Sequence, residues 1–310
     1  MRTLLEIAQR DSRVLLVTGD LGFGVLTQFA HELPKQFINV GVAEQNLAGL
    51  ATGLALSGHV VFTYSIANFP TLRCLEQLRN DACYHNAAVK VVAIGGGFSY
   101  GSLGISHHAT EDLAILRALP NMTVLCPGDL DEASAATEAA YARPGTCYLR
   151  LDKSHAQKTM DADTQVVFGK LRRLRSGRDV VILGTGGVLE EALQAAELLQ
   201  PFGIDCAVFS AHTIKPIDVD GITTLGRSAQ LLVTLEEHTL DGGFGSAVAE
   251  VLSDAGVHPT AFRRFGLRDG FSSIVGSQAY LRQKYGLDAG ALVRGIVEVL
   301  ETLKVPSNNA

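Results

Sequence analysis

Short apolar runs alternate with longer segments of helical periodicity along most of the chain. Strand-like runs in the first half occupy 14–18, 60–63, 89–94, 123–125 and 146–149. Helix-like segments separate these runs, notably at 71–84 and 129–142. After a polar stretch, strand-like runs return at 179–183, 205–209 and 231–235, and helix-like segments at 189–200, 243–252 and 289–303. This alternation is typical of parallel sheets that are covered by helices on both faces.

The polar stretch at 151–170 divides the chain into two units. We predict an α/β fold with two doubly wound domains, at 1–155 and 171–310, joined by a linker at 156–170. A chain of 310 residues is long enough for two domains with substantial cores. Residues 306–310 are predicted to form a frayed tail.

One apolar helical segment, INVGVAEQNLAGLATGLALSG at 38–58, carries a glutamate near its start. Helical spacing places Glu44 on the same face as Leu47, Ala48 and Ala51, so we expect its carboxylate to be buried. A buried carboxylate is costly unless it is paired. Two interpretations are open at this point. Glu44 is either a first-turn residue stabilised by the helix dipole, or an acid that shares a proton with a ligand in a cleft.

Composition and charge narrow the class of protein. With 47% hydrophobic residues and a net charge of −6, the chain has no strong positive field to attract nucleic acid or an anionic membrane. No segment reaches the roughly 20 uninterrupted apolar residues that span a bilayer. Five cysteines form no C-x-x-C pair, which argues against a disulfide framework and a zinc site. We expect a cytoplasmic protein with reduced cysteines.

Three glycine clusters could approach a phosphate: GDLGFG at 19–24, IGGG at 94–97 and LGTGG at 183–187. None matches the P-loop or a full G-x-G-x-x-G pattern, so we predict structural roles for them. A glycine-rich loop also presents His107 and His108 just before a predicted helix, where α/β sheets often bind ligands. Adjacent side chains point apart, so the pair is not predicted to bind a metal.

Several ordered motifs are similar to those of one enzyme family. They are GDLG, NVGVAEQN, FPTLRCLEQLRND and the histidine loop followed by EDLAILRALPNMTVLCPGD. Together these resemble the pyrimidine-binding domain of transketolase-like thiamine diphosphate enzymes. In the second half HTIKPID, TLEEHTLDGGFGSAVAEVL and QKYGL resemble the C-terminal domain of transketolases and of deoxyxylulose-5-phosphate synthase. The resemblance extends over nearly the whole chain.

The resemblance implies cofactor-binding roles. Glu44 matches the glutamate that hydrogen-bonds N1′ of the cofactor's aminopyrimidine and favours its 4′-imino tautomer, which activates the thiazolium carbon. Phe69 matches the aromatic ring that stacks on the pyrimidine, with Leu21 and Ile66 as apolar neighbours. Two further matches are Asp20, in a loop close to the subunit contact, and Arg73, in the R-x-x-E-Q pattern. For Arg73 two roles are open, a structural ion pair and a contact with the ligand.

The resemblance also implies substrate-binding roles. His107 matches the histidine that reaches the substrate's reacting oxygens, where it is a suitable proton donor. Arg150 matches an arginine that binds the substrate phosphate through its planar fork. We expect Arg2 to contribute to the same recognition.

Family members carry an amino-terminal domain whose G-D-G…N motif binds the diphosphate through Mg²⁺, and this sequence contains no such motif. The resemblance therefore implies the C-terminal subunit of a split transketolase, transferring a two-carbon ketol unit from a ketose-type donor to an aldehyde. A partner subunit would hold most of the diphosphate and Mg²⁺, in an α2β2 heterotetramer.

Three departures from the family pattern bear on the substrate. The stretch YGSLGIS lacks the acid that transketolases place before the substrate histidine, glycines at 95–97 replace a second histidine, and Gly24 replaces a serine. We expect weaker phosphate recognition and an unusual sugar or 2-oxo substrate.

Three alternatives to transketolase stay open. They are the beta subunit of a 2-oxo acid dehydrogenase, a deoxyxylulose-phosphate-synthase-like enzyme, and a regulatory or scaffold subunit. The joint presence of Glu44, Phe69 and His107 argues against the last.

Overall fold

A seven-stranded sheet organises the first half of the chain. In the computed structural model, which describes residues 1–157, 162–163 and 165–304, six of its strands are β1 (Val14–Thr18), β2 (Phe37–Asn39), β3 (Val60–Ile66), β4 (Val89–Ile94), β5 (Met122–Leu125) and β6 (Thr146–Leu151). The seventh, β10 (Thr213–Lys215), comes from the second half and pairs antiparallel with β5, whereas the other pairs are parallel. The strand order is β10-β5-β6-β4-β3-β1-β2.

Helices cover this sheet. They are α1 (Arg2–Arg10), α2 (Thr27–Glu32), α3 (Glu44–Leu56), α4 (Leu75–Gln77), α5 (Asp112–Ala118) and α6 (Leu130–Ala142). A π-helical turn, Leu78–Cys83, continues α4, so the helix predicted at 71–84 begins later and is wider than expected. The buried face of α3 carries Leu47, Ala48 and Ala51 together with Glu44, as the sequence periodicity predicts.

A second sheet of five strands organises the second half. Its strands are β7 (Arg172–Arg175), β8 (Val180–Thr185), β9 (Cys206–Ser210), β11 (Leu231–Thr239) and β12 (Phe262–Leu267), in the order β12-β11-β8-β9-β7. Only the β7–β9 pairing of this sheet is antiparallel among the described residues. The helices of this half are α7 (Leu189–Leu199), α8 (Val219–Ser228), α9 (Phe244–Asp254), α10 (Gln278–Tyr285) and α11 (Ala289–Lys304).

The two-unit α/β architecture confirms the predicted fold class. Strands form at all eight predicted apolar runs, but β2, β7, β10 and β12 were not predicted. All four are edge strands, which bury less surface and therefore lack a continuous apolar run. The domain boundaries stay predictions. The linker predicted at 156–170 includes 158–161 and 164, and these residues and the predicted tail at 306–310 lie outside the described residues.

The order of the strands identifies where a ligand would bind in the first half. The chain passes from β1 to β2 on one side and then crosses to β3 on the other side of β1. Ligands of open α/β sheets bind at the carboxyl ends of strands at such a switch point. The loop after β1 contains Asp20 and Leu21, and the turn after β3 contains Phe69.

Candidate active site

Glu44 is buried at the first turn of α3, close to this switch point. Its exposed fraction is 3%, and one carboxylate oxygen accepts a hydrogen bond from Arg73 Nη1 at 2.7 Å. Gly19, in the loop after β1, packs beside it, because a Cβ at Gly19 would lie 3.9 Å from Glu44 Cγ. The first turn of a helix favours a negative charge, so the dipole of α3 and the Arg73 guanidinium both stabilise the carboxylate.

Arg73 connects Glu44 with Phe69. The Arg73 guanidinium carbon lies 4.7 Å from the centre of the Phe69 ring, while its Nη1 donates to Glu44. The arginine side chain is 49% exposed, although the carboxylate that it pairs with is buried. Phe69 is half-buried, and its N–H donates to the carbonyl of Ile66, the last residue of β3, at 2.8 Å.

His107 packs edge-on against Phe69. Its ring centre is 5.1 Å from that of Phe69, with the planes at 67°, and 6.0 Å from that of Tyr100. Ser106 Oγ lies 2.9 Å from His107 Nδ1, which leaves Nε2 for another partner. Burial, with a smaller contribution from His108, lowers the pKa of His107 below its usual value. The imidazole is therefore largely neutral at pH 7 and can donate one N–H.

The neighbouring histidine has a structural role. His108 is fully buried, its Nε2 lies 3.1 Å from the carbonyl of Gly101, and its ring packs edge-on against Phe98. Asn68 Nδ2 donates to the carbonyl of His108 at 2.7 Å. This hydrogen bond links the histidine loop to the turn that contains Phe69. The two histidines therefore point to different surroundings, as predicted for adjacent side chains. Among the described residues, no group of three His, Cys, Asp or Glu side chains could hold a metal ion.

Asp20 and Leu21 line a cavity of about 440 Å³ beside the loop after β1. Asp20 has a positive φ of 61°, and its conformation is held by Asn39, whose Oδ1 accepts from Asp20 N and whose Nδ2 donates to Asp20 Oδ1, both at 3.0 Å. Asn39 is a site-forming residue that the sequence analysis missed, because only the parallel pairing of β1 with β2 brings it to this loop.

Arg150 does not lie with the other predicted site residues. Its side chain is 1% exposed, its Nε donates to Asp112 Oδ2 at 2.9 Å, and its Nη2 donates to the carbonyls of Ala109 and Glu237 at 3.0 and 3.1 Å. The Glu237 bond crosses to the second sheet. The guanidinium is thus enclosed by protein acceptors, which supports a structural role for Arg150, and its binding of a substrate phosphate stays a prediction.

Arg2 lies at the surface of α1, and its contribution to substrate recognition stays a prediction. Its side chain is 88% exposed and lies 3.9 Å from Glu6 in the next turn of α1. A weak surface pair of this kind contributes little to stability and does not orient the guanidinium.

The glycines at 95–97 allow close packing. A Cβ at Gly95, where φ is +106°, would collide with the Tyr100 ring; at Gly96 it would collide with Arg150 and Asp152, and at Gly97 with Glu237. A glycine at each position therefore makes room for a neighbouring side chain. These glycines have the close-packing role that the sequence predicts, and a histidine at any of the three positions would collide with the present neighbours.

The residues around Glu44 fit the aminopyrimidine of the cofactor implied by the sequence resemblance. A planar group with N–H donors already contacts both the Glu44 carboxylate and the Phe69 ring, because the Arg73 guanidinium does so. The Glu44 carboxylate and the Phe69 ring are therefore oriented so that one flat group with nitrogen donors can contact both.

Comparisons with known proteins identify the family of the chain. Residues 1–158 match the model of the transketolase pyrimidine-binding domain, and residues 169–292 match that of the transketolase C-terminal domain. The chain is 35% identical over 302 residues to a putative transketolase C-terminal section from Methanocaldococcus jannaschii, covering 96% of this chain and 94% of that protein. It is 38% identical over 299 residues to a 6-deoxy-6-sulfo-D-fructose transketolase subunit from Clostridium sp. (strain MSTE9), covering 96% and 92%.

A solved structure described as a split gene transketolase, an inactive beta4 tetramer, superposes with a TM-score of 0.85 at 35% identity and covers 97% of this chain and 96% of that one. In the part of this chain that the structure describes, no helix is long and apolar enough to cross a membrane. The chain belongs to the transketolase family, with the domain content of the C-terminal subunit of a split transketolase.

Proposed function

We propose that this chain works with a separate diphosphate-binding subunit as a thiamine diphosphate-dependent transketolase. The complex would transfer a two-carbon ketol unit from a ketose-type donor to an aldehyde acceptor. The observation that carries the proposal is the joint contact of one planar group with Glu44, at 2.7 Å, and with the Phe69 ring, at 4.7 Å. Relatives named as transketolase subunits support the same reaction class.

Thiamine diphosphate, when bound, supplies the electron sink that lets a ketol unit leave one carbonyl compound and join another. Glu44 would hold and exchange a proton at the pyrimidine N1′, at a position from which water is excluded. Phe69 would stack on the pyrimidine, with Leu21 and Ile66 as apolar neighbours, and Asp20 would lie toward the subunit contact. Arg73 would have to leave the place that it occupies between Glu44 and Phe69.

His107 would bind and orient the carbonyl oxygens of the substrate. Its ring packs against Phe69 and its Nδ1 is engaged by Ser106, so Nε2 is the nitrogen that can face a substrate. Because the pKa of His107 is lowered, the neutral imidazole would act as a hydrogen-bond donor and proton carrier at pH 7.

Exposed apolar side chains next to the site residues support the need for a partner subunit. Phe23 follows the Asp20 loop, Val42 precedes Glu44 and Ile105 precedes His107, and their exposed fractions are 82%, 76% and 50%. Apolar side chains exposed around a site in this way are typical of a protein interface. We propose that the partner covers them, holds Mg²⁺ and most of the diphosphate, and assembles with this chain as α2β2.

The location of the complex is proposed to be the cytoplasm. All five cysteines are free and buried. Unpaired thiols are typical of a reducing compartment.

Calorimetric titration of thiamine diphosphate with Mg²⁺ tests the proposal. We expect binding to the mixture of this chain with its partner subunit and not to the chain alone. In the mixture, Glu44→Gln is expected to lower ketol transfer at least about a thousandfold while circular dichroism stays unchanged. The matched control is Glu298→Gln, which removes an exposed carboxylate from α11.

Full transfer activity in the Glu44→Gln complex would refute the assigned role. Release of carbon dioxide from pyruvate with an aldehyde acceptor, without transfer from any ketose, would instead identify the deoxyxylulose-phosphate-synthase-like alternative.

A further inference from the structure

An apolar cavity of about 380 Å³ lies over one face of the first sheet, near the carboxyl ends of β4 and β6. This volume is within the range of small-molecule sites. Met1 and Val25 lie at its mouth, with exposed fractions of 40% and 50%. Its apolar lining includes Leu4, Phe62, Val92, Ile94, Leu149 and Leu151.

Tyr100 joins this cavity to the candidate active site. Its side chain lines the cavity, and its ring centre lies 6.0 Å from that of His107. His107 in turn lies 5.1 Å from Phe69. The cavity is therefore separated by a single aromatic ring from the histidine proposed to orient the substrate carbonyl.

The wall at Tyr100 is poorly suited to a phosphate. Gly95 has a positive φ of +106° and no room for a side chain, because the Tyr100 ring fills that space. Among the described lining residues Lys153 has the one cationic side chain, and its Nζ already lies 3.6 Å from the centre of the Tyr100 ring. The α-amino group of Met1 also lies at this cavity, and burial lowers its pKa, which weakens it as a partner for a phosphate. Arg150 is enclosed elsewhere by protein acceptors. A phosphate dianion is usually held by an arginine fork or several donors together.

Resting on the ketol transfer proposed above, we propose that this cavity binds the distal end of the aldehyde acceptor, and that this end is an unphosphorylated apolar chain. The reacting carbonyl would lie at His107 and the chain would pass Tyr100 to reach the side chains over the sheet. Burial of each methylene in such a cavity stabilises the bound acceptor.

The first test compares acceptors in the complex of this chain with its partner, using 3-hydroxypyruvate as donor. The net reaction is HOCH2–CO–COO⁻ + R–CHO + H⁺ → HOCH2–CO–CH(OH)–R + CO2, in which the C1–C2 bond of the donor breaks and a bond to the aldehyde carbon forms. From propanal to hexanal we expect kcat/KM to rise about fourfold per added methylene. A flat series, or glyceraldehyde 3-phosphate as the best acceptor, would overturn the inference.

A second test uses a substitution that narrows the mouth of the cavity. Val25→Trp is expected to lower kcat/KM for hexanal at least about tenfold more than for glycolaldehyde, since only the longer acceptor needs the cavity. Val219→Trp changes a valine of similar exposure at the start of α8 and is the control. Equal effects of Val25→Trp on both acceptors would contradict the assignment.

A third test does not depend on turnover. The non-reacting analogue 1-hexanol is titrated into the same complex by saturation-transfer NMR, and we expect binding that Val25→Trp weakens at least about fivefold. If no acceptor, glycolaldehyde included, supports transfer, the proposed reaction fails while hexanol binding still decides whether the cavity takes an apolar chain. Absence of hexanol binding would overturn the inference even in an active complex.

Discussion

Arg73 donates a hydrogen bond from Nη1 to the buried carboxylate of Glu44 at 2.7 Å. The same guanidinium lies 4.7 Å from the centre of the Phe69 ring. It thus occupies the two surfaces that the family resemblance assigns to the aminopyrimidine. Because half of the Arg73 side chain is exposed, it can rotate toward solvent without opening the core.

Replacing Arg73 should therefore change cofactor affinity. Arg73→Gln removes the cation that competes for Glu44, and we expect thiamine diphosphate to bind the complex about fivefold more tightly, the equivalent of about 1 kcal/mol for a half-exposed ion pair. Calorimetric titration measures the dissociation constant. Arg294→Gln, which changes an exposed arginine on α11, is the matched control. Weaker binding by Arg73→Gln would show that Arg73 holds the cofactor instead of competing with it.

Protonation of His107 should cause the fall of kcat/KM on the acid side of its pH profile, called the acid limb below. Because its pKa is lowered by burial, the neutral form persists below the usual histidine range, and kcat/KM is expected to fall only when the pH drops through that lowered value. His107→Asn should lower kcat/KM about a hundredfold and remove this limb. The measurement is kcat/KM between pH 5 and pH 8, with His258→Asn, an exposed histidine, as control. An unchanged acid limb would exclude His107 as its source.

Arg150 should matter for stability. Arg150→Met leaves Asp112 buried without its cation, and we expect the free energy of unfolding to fall by about 3–5 kcal/mol. Urea denaturation followed by circular dichroism measures the change. The double variant with Asp112→Asn removes both charges and should be less destabilised. Normal stability, combined with a raised KM only for phosphorylated acceptors, would instead support the phosphate-binding role.

His212 should make the fold sensitive to acid. Burial, with a smaller contribution from Arg172, lowers its pKa to about 4. The unfolded chain binds a proton near pH 6.5 and the folded chain does not, so stability is lost as the pH falls from about 6.5 to 4, by up to about 3 kcal/mol. His212→Gln should flatten this part of the stability curve in urea denaturation at several pH values. A variant that keeps the same slope would assign the acid sensitivity to other groups.

The sequence alone determined the central strands, the buried face of α3 and the position of Glu44 on it. These features depend on local periodicity, because a strand buried on both faces needs an unbroken apolar run and a helix needs a repeating face. The family motifs were equally local, and the family that they indicated is confirmed. Edge strands such as β2 and β10 lack that local signal because partners cover them on one side only.

Only the tertiary structure decided which of the predicted site residues meet. Glu44, Arg73, Phe69 and His107 form one continuous group, whereas Arg150 is enclosed between the two sheets. The role of an arginine depends on which acceptors surround it, and those of Arg150 include Asp112 and Glu237, which are 38 and 87 residues away in the chain. Likewise, the Tyr100 ring fills the space beside Gly95. Packing in three dimensions places that ring there, and no local sequence pattern encodes it.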